Sequence, residues 1–283
     1  VTETLLSQEG WVRVGGFVLA LAAVGLAEGL LPRRRRDFRR LQRWPSNLGL
    51  VALDALVARV IVPILPIGLA AVARDQGWGL FNRWRWAEAL EIALAVVALD
   101  FVIYLQHVMF HAVPILWRLH RMHHADLDFD VTTGIRFHPV EMLISTGVKL
   151  AAVAAFGPTP LAVLIFEVFL NGTSLFNHAN LRLPMGVDRV LRWLVVTPDM
   201  HRVHHSVLSA ETHSNFGFNL PWWDRLFGTY RAQPRLGHDG MTIGLPIFRR
   251  PEELRLDRLL FQPFRSESAP TSLEPPHEEG SGI

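Results

Sequence analysis

Five apolar stretches constrain this chain more than any other feature. Trp11 to Leu31 is 21 residues of mostly Val, Leu, Ala and Gly, with Arg13 and Glu28 near its two ends. At ~1.5 Å per residue it covers ~30 Å, about one hydrocarbon thickness. A second stretch runs from about Leu48 to Ala73 and holds Asp54, Arg59, Pro63 and Pro66; a third runs from about Ala87 to Phe110. Glu141 to Leu170 is apolar but broken at Gly157-Pro158-Thr159-Pro160, so it reads as two spans joined by a tight turn, with a re-entrant hairpin as the alternative. Prolines are tolerated within spanning helices. Asp54 and Arg59 are expected to pair or to face the bundle interior.

Composition agrees with this reading. The chain has 283 residues, 50% hydrophobic and 19% charged, with mean hydropathy +0.23. That excludes a disordered protein and leaves too little polar surface for a soluble enzyme. Arginine is densest at Arg33 to Arg36, Arg39, Arg40 and Arg43, directly after the first span, where a membrane protein keeps its cytoplasmic anchor. Glu3 and Glu9 precede that span, which argues against a cleaved signal peptide and puts the N-terminus outside. Counting crossings then places residues 110–139, and everything from Asn177 onward, in the cytoplasm. The 74–86 connection falls outside despite Arg74, Arg83 and Arg85. The pI of 9.6 comes from these arginines, Lys149 being the only lysine, so no nucleic-acid partner is expected. Cysteine is absent, which removes disulfides, thiolate zinc sites, Cys-held iron–sulfur clusters and thiolate-ligated haem. Any metal must be held by nitrogen and oxygen.

The histidines are concentrated. Of 13, ten lie between His107 and His205, and eight of those form three spaced groups. His107 and His111 make H-x-x-x-H at the end of the third span. His120, His123 and His124 make H-x-x-H-H, and His201, His204 and His205 repeat it. Positions i, i+3 and i+4 share a helix face, so each group is expected to offer two or three imidazoles to one point. Neutral imidazole suits iron, copper, zinc and nickel. One ion takes roughly four to six ligands, so eight clustered histidines suggest two metals sharing a site. His178 follows the last span and could reach that site from the side. His138, before Pro139, reads equally as a ligand or a helix-start residue. His213, His238 and His277 have no partner at ligand spacing.

These residues resemble the fatty acid hydroxylase superfamily, specifically the bacterial sterol desaturase family proteins, over roughly Asp100 to Tyr230. The likeness rests on Asp100 and Tyr104 before His107-x-x-x-His111, and on Leu116-Trp117 before His120-x-x-His123-His124. It continues through Thr133, Arg136, His138-Pro139, Asn177-His178-Ala179-Asn180 and Thr197-Pro198-Asp199-Met200-His201 with His204-His205. It closes on Asn215-Phe216-Gly217 and Trp223-Asp224-Arg225-Leu226-Phe227-Gly228-Thr229-Tyr230. Val108, Phe216 and Ala125 depart from the arginine, tyrosine and serine common in relatives, and none removes a ligand.

The resemblance implies an all-α, integral membrane helical bundle with a cytoplasmic histidine-rich dimetal cap. It implies a non-haem di-iron oxygenase of a bacterial inner membrane that hydroxylates or desaturates a sterol, fatty acyl or related lipid with O2. Carried over, the metal ligands are His107, His111, His120, His123, His124, His178, His201, His204 and His205, with His138 left open. Two iron ions are the expected cofactor, with zinc able to replace them in recombinant protein. Asp199 and Asn180 are candidates to support the site from behind, helix capping being their alternative role. The organisation expected is a transmembrane region (1–86), a catalytic domain (87–245) and an extension (246–283) whose Ser-, Pro- and Glu-rich end is disordered.

The chain shows no Gly-rich nucleotide fingerprint and no cluster-binding cysteines, so an external electron-transfer protein is implied. Arg118, Arg121 and Arg202 would suit an acidic carrier or anionic membrane lipids. Two other classes compete. A metal-ion transporter would set ligands along the middle of its spans, and a haem-binding electron-transfer protein would leave most of these histidines unused.

Overall fold

The fold follows from where proline and glycine interrupt the apolar runs. It is taken from a computed structural model that describes residues 2–84 and 86–266; most of the tail expected to be disordered lies outside them. A short helix, α1 (Thr2–Ser7), leads into α2 (Glu9–Leu30). The second apolar stretch is two helices, α3 (Arg40–Ile61) and α4 (Pro66–Asp75). Pro63 and Pro66 break it rather than kink it, because each lacks an N–H and disfavours helical geometry in the residue before it. Next come α5 (Glu88–Ala112), α6 (Pro114–His124), α7 (Pro139–Phe156) and α8 (Pro160–Asn177), then α9 (Met185–Leu191), α10 (Pro198–His204), α11 (Ser209–Thr212) and α12 (Trp222–Leu226). Among the described residues the only strand-like pairings are two isolated bridges, so the fold is all-α.

Proline opens four of the helices around the site. Pro114, Pro139, Pro160 and Pro198 each stand at the first helical position, where a missing N–H costs nothing. Pro114 also ends α5 and turns the chain between His111 and His120. Thr159 and Thr197 cap α8 and α10 with side-chain oxygens. Gly157 closes α7 at φ 64°, and a Cβ there would lie 2.0 Å from the Trp78 carbonyl oxygen, so only glycine permits the turn.

Five segments are long and apolar enough to cross a membrane: Glu9–Leu30, Arg40–Asp75, Glu88–Ala112, Pro139–Phe156 and Pro160–Asn177. The chain is an integral membrane protein. Ile67, Ala70, Leu99, Ile103, Val153, Val163 and Phe166 form the main core between α4, α5, α7 and α8. Helices α2, α5 and α8 end, and α3 and α7 begin, at the end of the bundle where the histidines gather. Buried Glu28 of α2 fastens that end, accepting from the backbone N–H of Val131 (3.0 Å) and Asn180 (3.1 Å). Asp54 and Arg59 form no ion pair with each other. The span charges Arg13, Lys149 and Glu167 do associate, both cations lying 3.5 Å from the Glu167 carboxylate.

The connection from α6 to α7 is buried throughout residues 125–136, which is unusual for a loop. Its charges are matched internally. Arg43 makes a two-pronged contact with Asp126 (2.6 and 2.8 Å) and reaches Asp130 (2.6 Å), while Arg136 donates to the Met122 carbonyl (2.9 Å). This network fixes the end of α6, where His120, His123 and His124 stand.

Candidate metal centre

Nine buried histidines form two groups. His107, His111, His120, His124 and His204 make the first, and His123, His178, His201 and His205 the second. Within each group the potential ligand nitrogens lie within 4.8 Å of one another. The two groups adjoin, since the His124 and His205 rings are 4.5 Å apart. They account for the nine residues named from the sequence.

Each H-x-x-H-H motif divides between the groups rather than aiming at one point. At about 100° per residue, positions i and i+4 differ by about 40°, whereas i+3 lies about 60° to the other side. His120 and His124 therefore share the first group with the i, i+4 pair His107 and His111, and His123 turns to the second. On α10 the sense reverses: His201 and His205 enter the second group and His204 the first.

Backbone and carboxylate acceptors set the ring tautomers. Nδ1–H of His107 donates to the Phe216 carbonyl (2.8 Å), that of His178 to Ser174 (2.8 Å) and that of His204 to Ser214 (2.7 Å). His120 Nδ1 donates to Glu141 Oε1 (2.6 Å). Their Nε2 atoms therefore carry bare lone pairs. Yet Nε2 of His107 and His120 are 3.2 Å apart, and Nε2 of His178 lies 3.1 Å from His123 and 3.0 Å from His201. The lone pairs of His107 and His120, facing at this distance, repel unless a cation lies between them. About 3.0 Å is also the separation of neighbouring nitrogens at right angles on one ion with ~2.1 Å bonds. Both ring nitrogens of His111, His124 and His205 are buried without a hydrogen-bond partner, as is Nε2 of His204. The donor set fits two metal ions.

Burial first, and then repulsion among the rings, pushes His123, His124, His201, His204 and His205 well below the ordinary imidazole range. Burial brings His178 down to about 3. A depressed pKa keeps imidazole neutral, as metal binding requires. In the unfolded chain these groups take up protons near pH 6.5. Their contribution to stability is therefore complete above that value and declines as pH falls below it, for His178 toward about 3. Metal content and thermal midpoint should fall together across this window, read by a metal-binding dye and a melting curve on the same samples.

The comparisons with known proteins agree with this geometry. The family model described as fatty acid hydroxylase matches residues 92–229, which contain all nine histidines. Over residues 92–229 the chain carries a fatty acid hydroxylase family segment. It is similar to ornithine lipid hydroxylase OlsE of Rhizobium tropici, 28% identical over 77% of this chain and 67% of that protein. It is also similar to alkylglycerol monooxygenase of Xenopus tropicalis, 30% identical over 71% of this chain and 45% of that protein. The human alkylglycerol monooxygenase is 28% identical over 61% of this chain and 38% of that protein. The chain thus spans less than half the length of these two monooxygenases. No solved structure matches it. Through residues 92–229 the chain is an enzyme of the lipid hydroxylase and monooxygenase class.

The remaining candidates stand outside both histidine groups. His138 caps α7, accepting at Nδ1 from the Val140 N–H (3.2 Å) while Nε2 donates to the Leu260 carbonyl (3.2 Å). His213 is exposed at the rim, its ring 5.4 Å from that of His111. Buried His238 faces Asp199 at 3.6 Å, and His277 is outside the described residues. Asp199 pairs with Arg202 and Arg33, and Arg202 in turn donates to the Ala179 carbonyl (3.0 Å) beside His178. Asn180 bonds the backbone of Arg34 in both directions (2.9 Å each), tying the arginine-rich strap to the His178 turn.

Arg118 and Arg121 do not present a free basic face. Their guanidinium groups donate to carbonyls of Gln262, Pro263 and Arg265, pinning residues 262–265 to α6. Buried Arg202 is likewise committed to Asp199 and Ala179.

Sequence reasoning missed the acceptors behind the rings. Three are backbone carbonyls, which carry no side-chain signal. The fourth, Glu141, is legible only as an acid in the first turn of an apolar span. The loop presenting Ser214 and Phe216 is itself held by two carboxylates. Asp224 accepts from the N–H of Phe216 and Gly217 (2.8 Å each), and Asp100 from Asn219, Leu220 (3.3 Å each) and the Trp223 indole (2.8 Å).

Proposed function

We propose that this enzyme hydroxylates an aliphatic carbon of a membrane lipid, with two iron ions held by the nine grouped histidines. The observation that carries the reading is the pair of adjoining, buried, all-histidine groups at one end of a spanning bundle. Bound iron would supply O2 activation and the oxidising power to break an unactivated C–H bond, which no side chain can provide. The chain's own contribution is to hold imidazoles neutral and oriented. Glu141 and the three carbonyls fix ring direction, and such outer partners typically matter ~10–100-fold. The electrons come from an external carrier, since the chain has no cysteine and no nucleotide fingerprint.

Insertion of one oxygen is favoured over desaturation because the similar proteins are named hydroxylases and monooxygenases. A polar lipid, of the ornithine-lipid or alkylglycerol type, is the substrate class these names support. A cytoplasmic site in a bacterial inner membrane is supported by the arginine-rich strap. Arg33 and Arg34 bond Asp199, Asn180 and His238 on the histidine end, and positive charge favours the cytoplasmic side. A transporter is disfavoured because the histidines gather at span ends.

The test is lipid mass spectrometry of cells with and without the gene, grown under 18O2. The reading predicts a lipid heavier by one labelled oxygen. Loss of two hydrogens without label would make the enzyme a desaturase, and an unchanged lipid profile with altered metal uptake would favour transport.

A further inference from the structure

Helix α9 is seven residues long and buries none of them. Met185 is 84% exposed and Val190 63%, and Trp193 and Leu194 that follow are also exposed. An isolated helix this short is not stable in water by propensity alone. The exposed side chains of Leu226 and Phe227, at the end of α12, extend the same surface. The two segments are joined: the Trp222 indole donates to the Trp193 carbonyl (2.7 Å), and the Arg225 guanidinium lies 3.9 Å over the Trp193 ring.

This surface is continuous with a spanning helix. Phe227 stacks on Phe101 and Tyr104 of α5, with ring centroids 5.9 and 5.6 Å apart, and Trp223 lies 4.7 Å from Phe101. Phe101 is six residues before His107, so it sits about 9 Å deeper along the span than that histidine. Leu105, on the same helix between these depths, is itself exposed. An apolar surface that begins against a span, at a level below the histidines, meets acyl chains rather than water. Arg182, just before α9, and Arg189 within it are exposed, placed to reach lipid phosphates.

We propose that residues 185–194 and 222–227 form a shelf lying in the plane of the membrane on the histidine end of the bundle. The apolar side chains of the shelf enter the bilayer ~5–10 Å, as in-plane amphipathic helices do. The occupant of the surface is lipid, not a second protein. The inference rests on the spans and the exposed surface, and stands independently of the reaction catalysed.

The chain has no cysteine, so single probes can be introduced cleanly. Met185→Cys, Val190→Cys and Leu226→Cys would each carry a spin label in full-length protein reconstituted into phosphatidylcholine–phosphatidylglycerol vesicles. Leu105→Cys serves as the bilayer reference and Asp239→Cys, 79% exposed at its side chain, as the aqueous one. Power saturation compares collision with O2, which concentrates in lipid, against a nickel chelate confined to water. The shelf labels should match the Leu105 reference, with an O2-to-chelate ratio roughly tenfold above that at Asp239, because a polar chelate is excluded from hydrocarbon. Chelate access equal to that at Asp239 at all three positions would overturn the shelf. Shielding from both reagents would show a protein interface and overturn it equally.

Discussion

His204→Ala should remove one of two metal ions and abolish turnover, and His201→Ala should remove the other. The two residues lie one helical turn apart on α10, yet they belong to different histidine groups. Each substitution deletes one nitrogen from a buried set in which facing Nε2 atoms stand 3.0–3.2 Å apart. Activity should fall by at least about 100-fold, since losing even an outer partner of a ligand costs ~10–100-fold. Each single variant should keep about half of the wild-type metal, and the double variant none. His213→Ala is the control, its exposed side chain standing outside both groups; it should retain both ions. Equal metal loss in all three variants would mean that the two groups are not separate binding sites.

Arg43→Ala should be the most destabilising single change outside the histidines. Arg43 is fully buried and neutralises Asp126 and Asp130 together. Removing it strands two carboxylates in a buried loop, at ~3–5 kcal/mol for breaking a buried pair. Lysine should not rescue the variant, because it cannot reproduce the two parallel bonds to Asp126. Burial alone would raise the Asp126 pKa, but Arg43 and Arg136 outweigh it and hold the carboxyl at about 2. A lowered carboxyl pKa adds stability above the ordinary range near ~3.9 that is lost as pH falls toward 2. Thermal unfolding in detergent at neutral pH should show the loss in the alanine variant. An unchanged midpoint would show that the network does not hold the end of α6.

Much of the site could be read from residue spacing, because histidine is uncommon and its groups carry helical periodicity. The spans were equally visible in hydropathy, including the turn at Gly157. What spacing could not resolve was the sharing of each H-x-x-H-H motif between two sites, which depends on how α6 and α10 are rotated toward each other. Charge was misleading for the same reason. Arg43 reads as the end of a surface anchor, and Arg118, Arg121 and Arg202 as a docking face. In the folded chain Arg43 and Arg202 are fully buried, and all four are bonded to carboxylates or carbonyls. Glu28 reads as an interruption of a span, but it accepts the backbone N–H groups that lock the His178 turn to the buried loop. Gly134 shows the limit of residue-level reading: a Cβ there would lie 2.4 Å from the Ser174 carbonyl oxygen, the acceptor that orients His178.

Two metal ions held by nine histidines are the core of the proposed function. Its most direct test is metal analysis of catalytically active, detergent-purified wild-type protein alongside a quantitative protein assay. About two iron ions per chain are expected, one for each histidine group, with turnover rising in proportion to the fraction of sites filled. Fully active protein holding a single ion per chain, or turnover that survives complete removal of metal by a chelator, would contradict that expectation.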